Sequence, residues 1–118
     1  MRAAARPLGV ARIATREKPV LETCTMETFQ PHIGEIFRIV VDDEWQLHVA
    51  LTRVDPWGPE AGRGRDRAPF SLIFHGAMES FLPQRIYQVE HETMEPMELF
   101  LVPIGPDEYG MRYEAVFT

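Results

Sequence analysis

The C-terminal stretch 97–117 constrains the fold more than any other part of this sequence. Apolar residues recur there at every second position on both sides of the segment 105–110, which contains Gly, Pro and Asp, and this period predicts two paired strands joined by a turn. One face carries apolar residues from both strands, namely Met97, Leu99, Leu101, Tyr113, Ala115 and Phe117. Because Phe100 and Val102 are apolar on the opposite face, we expect this strand to be central and covered on both sides.

Four further strands are predicted upstream from the same period of two, at 35–41, 45–52, 70–75 and 85–91. Loops of about 3 to 14 residues join the six strands in sequence, and no helical stretch between them is long enough to serve as a parallel crossover. The sequence therefore predicts an all-β domain built as an antiparallel six-stranded meander. A sheet of this size with one apolar face is expected to close into a small barrel.

A short helical segment is predicted before the first strand. Thr25 suits its N-cap, Phe29 and Ile33 lie four positions apart on one face, and Gly34 suits its end. We expect this segment to plug one open end of the sheet and to press Phe29 into the core. The domain is therefore predicted to span 26–118.

Residues 1–25 are expected to form a disordered basic tail. Pro, Gly and Arg interrupt any apolar core of a secretory signal, whereas the Arg- and Ala-rich start is similar to an organelle transit peptide. Low apolar content and excess charge favour disorder instead. This interpretation includes the case in which translation starts at Met26 and the preceding residues are upstream sequence.

Chain length and cysteine content bound the class of protein. A chain of 118 residues can bury a core without a disulfide or a metal. Cys24 is the only cysteine, so an intramolecular disulfide is excluded, and a reducing cytoplasm is the expected location. No apolar run approaches the roughly 18 residues that a membrane span requires, so a soluble protein is predicted. No cofactor is expected.

Charge is distributed unevenly along the chain. Residues 1–20 hold five bases and one acid, while the other 98 residues hold seven bases and 17 acids, a net charge of −10. Such a surface repels phosphate backbones and anionic lipid, which argues against nucleic-acid and membrane binding. It favours solubility or a basic partner.

Several short segments carry a resemblance to a known family, at 26–34, 69–76, 82–84, 87–91, 100–106 and 112–117. In their order and spacing they resemble a bacterial family of small proteins known only as domain of unknown function 6916. The chain differs from the family pattern at Arg85, where a glycine is expected, and at Glu95 and Pro96, where a Leu-Gly turn is expected. The family implies no catalytic residues. It suggests an association with phage-tail-collar-like proteins, and hence a structural or delivery role.

The side chains suited to chemistry form no motif in the sequence. The four histidines are His32, His48, His75 and His91, and none shares a ligand spacing with another or with a cysteine. A barrel could gather His75 and His91, but we predict no metal site and no catalytic residue. Ser71 and His75 lie about 13 Å apart along one strand, so they cannot hydrogen-bond directly. Cys24 has no basic neighbour in sequence to activate its thiol.

The long loop 56–69 is the best candidate for a ligand site. Its residues Arg63, Arg65 and Arg67 are spaced two apart on a glycine-rich backbone close to Trp57. Guanidinium groups so arranged suit a carboxylate or phosphate, and the indole could stack on a ligand. With His75 on the barrel rim, these residues define the predicted ligand site, for which a solvated loop is the alternative.

Two functions compete on this evidence. The first is a non-enzymatic β-barrel that acts as an interaction or assembly module, binding a copy of itself or another protein. An outer apolar stripe would support it, and the residues predicted to point away from the core are Ile36, Val40, Ile73, Phe100, Val102 and Val116.

The second is an enzyme or a small-ligand or anion binder that uses the 56–69 loop and the rim. A rim of glutamates, Glu90, Glu92, Glu95 and Glu98, would suit a basic partner.

Overall fold

The sheet closes on itself. In the computed structural model of the chain, the described residues are 21, 23–58, 64 and 67–118, and their strands form a closed antiparallel barrel. The strands are β1 (Ile36–Asp42), β2 (Trp45–Pro56), β3 (Phe70–Gly76), β4 (Arg85–Glu90), β5 (Met97–Asp107) and β6 (Gly110–Phe117). The predicted all-β, six-stranded antiparallel barrel is confirmed. No helix among these described residues has the length and apolar character needed to cross a bilayer.

The strand order differs from the predicted meander. Around the barrel it is β1-β2-β3-β6-β5-β4, so β3 pairs with β6 and β4 pairs back with β1. The order 4-1-2-3 within it is a Greek key. The connection 77–84 makes this possible, because it is longer than a hairpin turn and carries the chain across an end of the barrel. Gly110 lets β6 approach β3, since a Cβ atom there would lie 2.2 Å from the carbonyl oxygen of Gly76.

The barrel interior is filled by the inward residues of all six strands. The largest of the fully buried side chains include Phe37, Phe70, Phe74, Leu72, Leu101 and Tyr113. The predicted face of β5 and β6 is confirmed, with Leu101 directly opposite Ala115 and both buried. The alternation of apolar residues along the strands therefore predicts which side chains fill the core.

The predicted N-terminal plug is also confirmed. Helix α1 (Met26–Phe29) has Thr25 as its N-cap and continues as a 3-10 helix (Gln30–His32). The ring of Phe29 is fully buried and lies 5.3 Å from that of Phe117, centroid to centroid. Ile33 was expected on the same buried face but is 45% exposed, because the 3-10 turn changes the helical period before that position.

The ordered core begins slightly before the predicted boundary at Met26. Cys24 is buried in the core cluster, and Arg67 donates to the carbonyl oxygens of both Leu21 and Cys24 at 2.7 Å. Burial raises the pKa of the Cys24 thiol, against an opposing effect of Arg67, so this cysteine is a packing residue. Of the tail predicted for residues 1–25, residues 1–20 and 22 lie outside the described residues.

Strand β5 differs from its prediction in two ways. It continues through a bulge near Gly105, whose φ is +93°, and pairs as far as Asp107 opposite Gly110, so the turn is shorter than 105–110. Its outer face was expected to be covered, and this is wrong, because Phe100 is 50% exposed. In a closed barrel the outer face is covered only if a loop or a helix packs on it.

Candidate functional site: an apolar patch on the outer face of the barrel

Three large apolar side chains lie in a row on the outside of β4, β5 and β6, and a fourth, Trp57, follows β2 and is bonded to the adjoining β3. Ile86 on β4 is directly opposite Phe100 on β5. On the other side of β5, Ala115 of β6 pairs with Leu101, so the next residue of β6, Val116, lies beside Phe100. Val116 in turn is opposite Ser71, whose hydroxyl oxygen accepts a 3.0 Å hydrogen bond from the Trp57 indole N–H. We call Ile86, Phe100, Val116 and Trp57 the outer patch.

The outer patch is open to solvent across its whole width. The exposed fractions are 61% for Ile86, 50% for Phe100, 44% for Val116 and 51% for Trp57. Together with half-buried Val102 they form a row of apolar residues on one outer face, and a contiguous apolar patch on a monomer is often functional. Scattered exposed apolar residues need no explanation, but a contiguous row does.

Two glutamates flank the outer patch on opposite sides. Glu98 pairs with Gln88 on one side of the row, and Glu114 pairs with Val102 on the other. Neither carboxylate has a hydrogen bond or an ion pair among the described residues. Of the predicted acidic rim, Glu98 thus lies beside the patch, whereas Glu90 is paired with Arg38 of β1 at 3.4 Å.

The predicted outer stripe overlaps this patch in part. Phe100, Val102 and Val116 come together as expected, while Ile73 faces outward but is only 6% exposed. Ile36 and Val40 lie on β1, beyond β4 from the patch. Sequence reasoning missed Ile86, although its alternation with buried Tyr87 and Val89 marks it as an outward residue.

The predicted ligand site divides between separate places. Trp57 and Arg67 lie at the two ends of the 56–69 loop, where Trp57 contacts Ser71 and Arg67 holds the carbonyls of Leu21 and Cys24. Arg63 and Arg65 lie outside the described residues. His75 is four positions beyond Ser71 on β3, about 13 Å along the strand. Use of this loop as a ligand site stays a prediction.

His75 belongs to a polar network on the outer face of β3. Its Nε2 atom lies 2.9 Å from Asp107 Oδ2, and its Nδ1 atom lies 2.8 Å from Thr52 Oγ1. The Thr52 hydroxyl oxygen also lies 3.1 Å from the carbonyl oxygen of Ile73. The pKa of Asp107 is held below its usual range by the His75 hydrogen bond, and next by the Tyr109 backbone N–H. This network ties β2, β3 and β5 together.

A second network joins His32, Glu35 and His91. One carboxylate oxygen of Glu35 lies 2.8 Å from His32 Nδ1 and 2.7 Å from His91 Nε2. These hydrogen bonds, His32 first, hold the pKa of Glu35 below its usual range. His75 and His91, which a barrel could have brought together, belong to separate networks. The spacing of His32 and Glu35 on one turn was the signal that sequence reasoning missed.

The residue types of this second network would suit a zinc ion, but the hydrogen bonds that they already make oppose zinc binding. The three ligand atoms lie within 4.8 Å of one another, and two imidazoles with a carboxylate are ordinary zinc ligands. However, His91 Nδ1 accepts the backbone N–H groups of Thr93 and Met94 at 3.1 and 3.3 Å. Its Nε2 atom therefore carries the proton and donates to Glu35, so no lone pair faces a metal. The arrangement is a clamp between the plug, β1 and the β4–β5 loop.

Comparison with protein families finds one match. The model of the family described as domain of unknown function (DUF6916) matches residues 24–117. The matched range begins at Cys24, the first buried core residue among those that the structure describes, and so includes the plug as well as the barrel. No curated protein and no solved structure matches the chain.

Proposed function

The chain belongs to the DUF6916 family, which is defined by a shared domain and not by an activity, and from that premise we propose that it is a non-enzymatic protein-binding module. The outer patch is its binding surface. The observation that carries this proposal is the contiguity of Ile86, Phe100, Val116 and Trp57, each about half exposed or more, on neighbouring strands. Burial of such a row against a partner is favourable because it removes apolar surface from water.

The shape of the site favours a protein over a small molecule. The patch is a strand surface four strands wide, roughly 14 Å across at the usual strand spacing, and small ligands prefer concave sites. The barrel interior is occupied by its own aromatic side chains, including Phe37, Phe74 and Tyr113. Since the barrel is closed, a partner strand finds no free edge to extend and must contact side chains.

The polar networks support binding over catalysis. Both ring nitrogens of His75 and both of His91 are engaged by neighbouring groups, which leaves neither imidazole with a nitrogen directed at a substrate. A general base needs such a nitrogen within hydrogen-bonding reach of the proton it removes. These histidines hold strands and loops in place.

The proposal is tested by site-specific photocrosslinking in the native cell. The photoreactive amino acid p-benzoylphenylalanine replaces Phe100 in one variant and Phe81 in a matched control, because Phe81 is a 62% exposed phenylalanine outside the patch. We expect a discrete protein adduct at position 100 that position 81 does not give, and its loss when Ile86→Ser is added. The same adducts at both positions, or none at position 100, would contradict the proposal. The phage-tail association stays a prediction, which the identity of the adduct tests.

A further inference from the structure

We infer that the partner of the outer patch is a basic protein segment in which an apolar side chain lies between two cationic ones. This inference rests on the proposed function and names the chemistry of its partner. It follows from the charges beside the patch, from the distance between them, and from the electrostatic repulsion that opposes a dimer formed through two such patches.

Two negative charges, from Glu98 and Glu114, lie beside the patch. Glu98 and Glu114 lie on opposite sides of the row formed by Phe100 and Val116, and neither has a partner among the described residues. The acid nearest to Trp57 in sequence, Asp55, is already paired with Arg53 at 3.1 Å. A docked partner would bury Glu98 and Glu114, and a buried carboxylate needs a cation.

A second copy of this chain is a poor occupant of the same surface. Two patches placed face to face would bring two copies of Glu98 and of Glu114 into one interface. Like charges juxtaposed in an interface weaken association. The net charge of −10 over residues 21–118 opposes self-association as well.

The spacing of the two glutamates defines the segment further. Glu114 is opposite Val102 of β5. Val102 lies four residues beyond Glu98 on the same strand, which is about 13 Å at the usual rise per strand residue. In an extended peptide, side chains at i, i+2 and i+4 lie on one face and span the same distance. The fitting segment is therefore Lys/Arg-x-Φ-x-Lys/Arg, where Φ is a large apolar residue that packs on Phe100 and Val116.

The inference is tested by selecting random 12-residue peptides on the immobilised full-length chain, with counter-selection on the Phe100→Ser variant. Circular dichroism first verifies that this variant is folded. We expect the enriched peptides to carry two cations four positions apart around an apolar residue. Binding of the best peptide should weaken about twofold to tenfold with Glu98→Gln and with Glu114→Gln, and its salt dependence should become shallower. Glu79→Gln, an exposed glutamate on the 77–84 connection, is the matched control and should leave affinity unchanged.

The outcomes separate the inference from the proposed function. Enrichment of neutral or acidic peptides whose binding still depends on Phe100 overturns the basic partner and leaves the binding module. If light scattering shows a dimer that Phe100→Ser abolishes, the partner is a second copy of the chain. This result also overturns the basic partner and leaves the binding module. If no peptide distinguishes the wild-type chain from Phe100→Ser, and photocrosslinking at Phe100 also fails, the proposed function itself is wrong.

Discussion

The outer face of β3 and the outer faces of β4 to β6 are built from similar residues but differ in their cover. On β3, outward-facing Ser71 and Ile73 are 3% and 6% exposed. On the neighbouring strands, Ile86, Phe100 and Val116 face outward at 61%, 50% and 44% exposure. The difference therefore lies in what packs on the sheet and not in the apolar character of the residues. The chain covers one outer face itself and leaves the adjoining one open.

The cover on β3 is made of identifiable parts. Trp57 hydrogen-bonds to Ser71 through its side chain and to Pro69 through its backbone N–H, at 3.0 and 3.1 Å. Thr52, His75 and Asp107 form the polar network that continues along the same face. No comparable network crosses the patch among the described residues. A bound partner would cover the outer faces of β4 to β6 in the way that these groups cover the outer face of β3.

The largest expected effect comes from making the same substitution on the two faces. Ile73→Ala removes buried methyl groups and should lower the free energy of unfolding by about 2–4 kcal/mol. Ile86→Ala removes exposed ones and should change it by no more than about 1 kcal/mol. Urea denaturation measures both. Equal losses would show that the two faces are equally packed and would remove the contrast on which the patch rests.

Removal of the Trp57 cover should have an intermediate effect. Trp57→Ala removes the side chain bonded to buried Ser71 and should cost about 1–2 kcal/mol, while Trp57→Phe keeps an aromatic ring but loses the N–H donor and should cost about 1 kcal/mol. Urea denaturation gives the free energies, and hydrogen exchange of the β3 amides should rise in both variants. A Trp57→Ala variant of wild-type stability would mean that the indole does not shield β3.

Acid should weaken the polar part of the cover. The folded-state pKa of Asp107 lies below its ordinary value of 3.8 because of its hydrogen bonds from His75 and Tyr109, so its contribution is present above about pH 4 and is lost as the pH falls through the folded-state pKa. Asp107→Asn should therefore lower the melting temperature at pH 7 and flatten its further fall below about pH 4. Asp43→Asn, in the exposed β1–β2 turn, is the control. A parallel fall in wild type and Asp107→Asn would contradict the role of this carboxylate.

The smallest effect is expected at the two glutamates beside the patch. Glu98→Gln and Glu114→Gln remove charges without partners among the described residues, so each should change the free energy of unfolding by less than about 0.5 kcal/mol. Equilibrium denaturation at low and high salt measures this. A loss above about 1 kcal/mol in either variant would indicate that the carboxylate stabilises the fold and is not available to a partner.

The sequence predicts the barrel because a period of two is local and strong, as in the alternation of β5 and β6. It does not predict that β3 pairs with β6, since strands far apart in sequence leave no mark of their pairing in the periodicity. It also cannot distinguish Ile73 from Phe100, because both look like outward apolar residues in the sequence, yet Ile73 is 6% and Phe100 is 50% exposed. The cluster of His32, Glu35 and His91 was missed for a related reason, as it joins a turn to a residue 56 positions away from Glu35.

The most direct test of the account is a methyl NMR titration of the isotope-labelled chain with the best selected peptide. The account predicts chemical-shift changes at the methyl groups of Ile86, Val102 and Val116, with the equally exposed Ile33 and Ile36 unchanged as internal controls. Shifts confined to Ile33 and Ile36, or to residues of the 77–84 connection, would place the binding surface elsewhere and contradict the account.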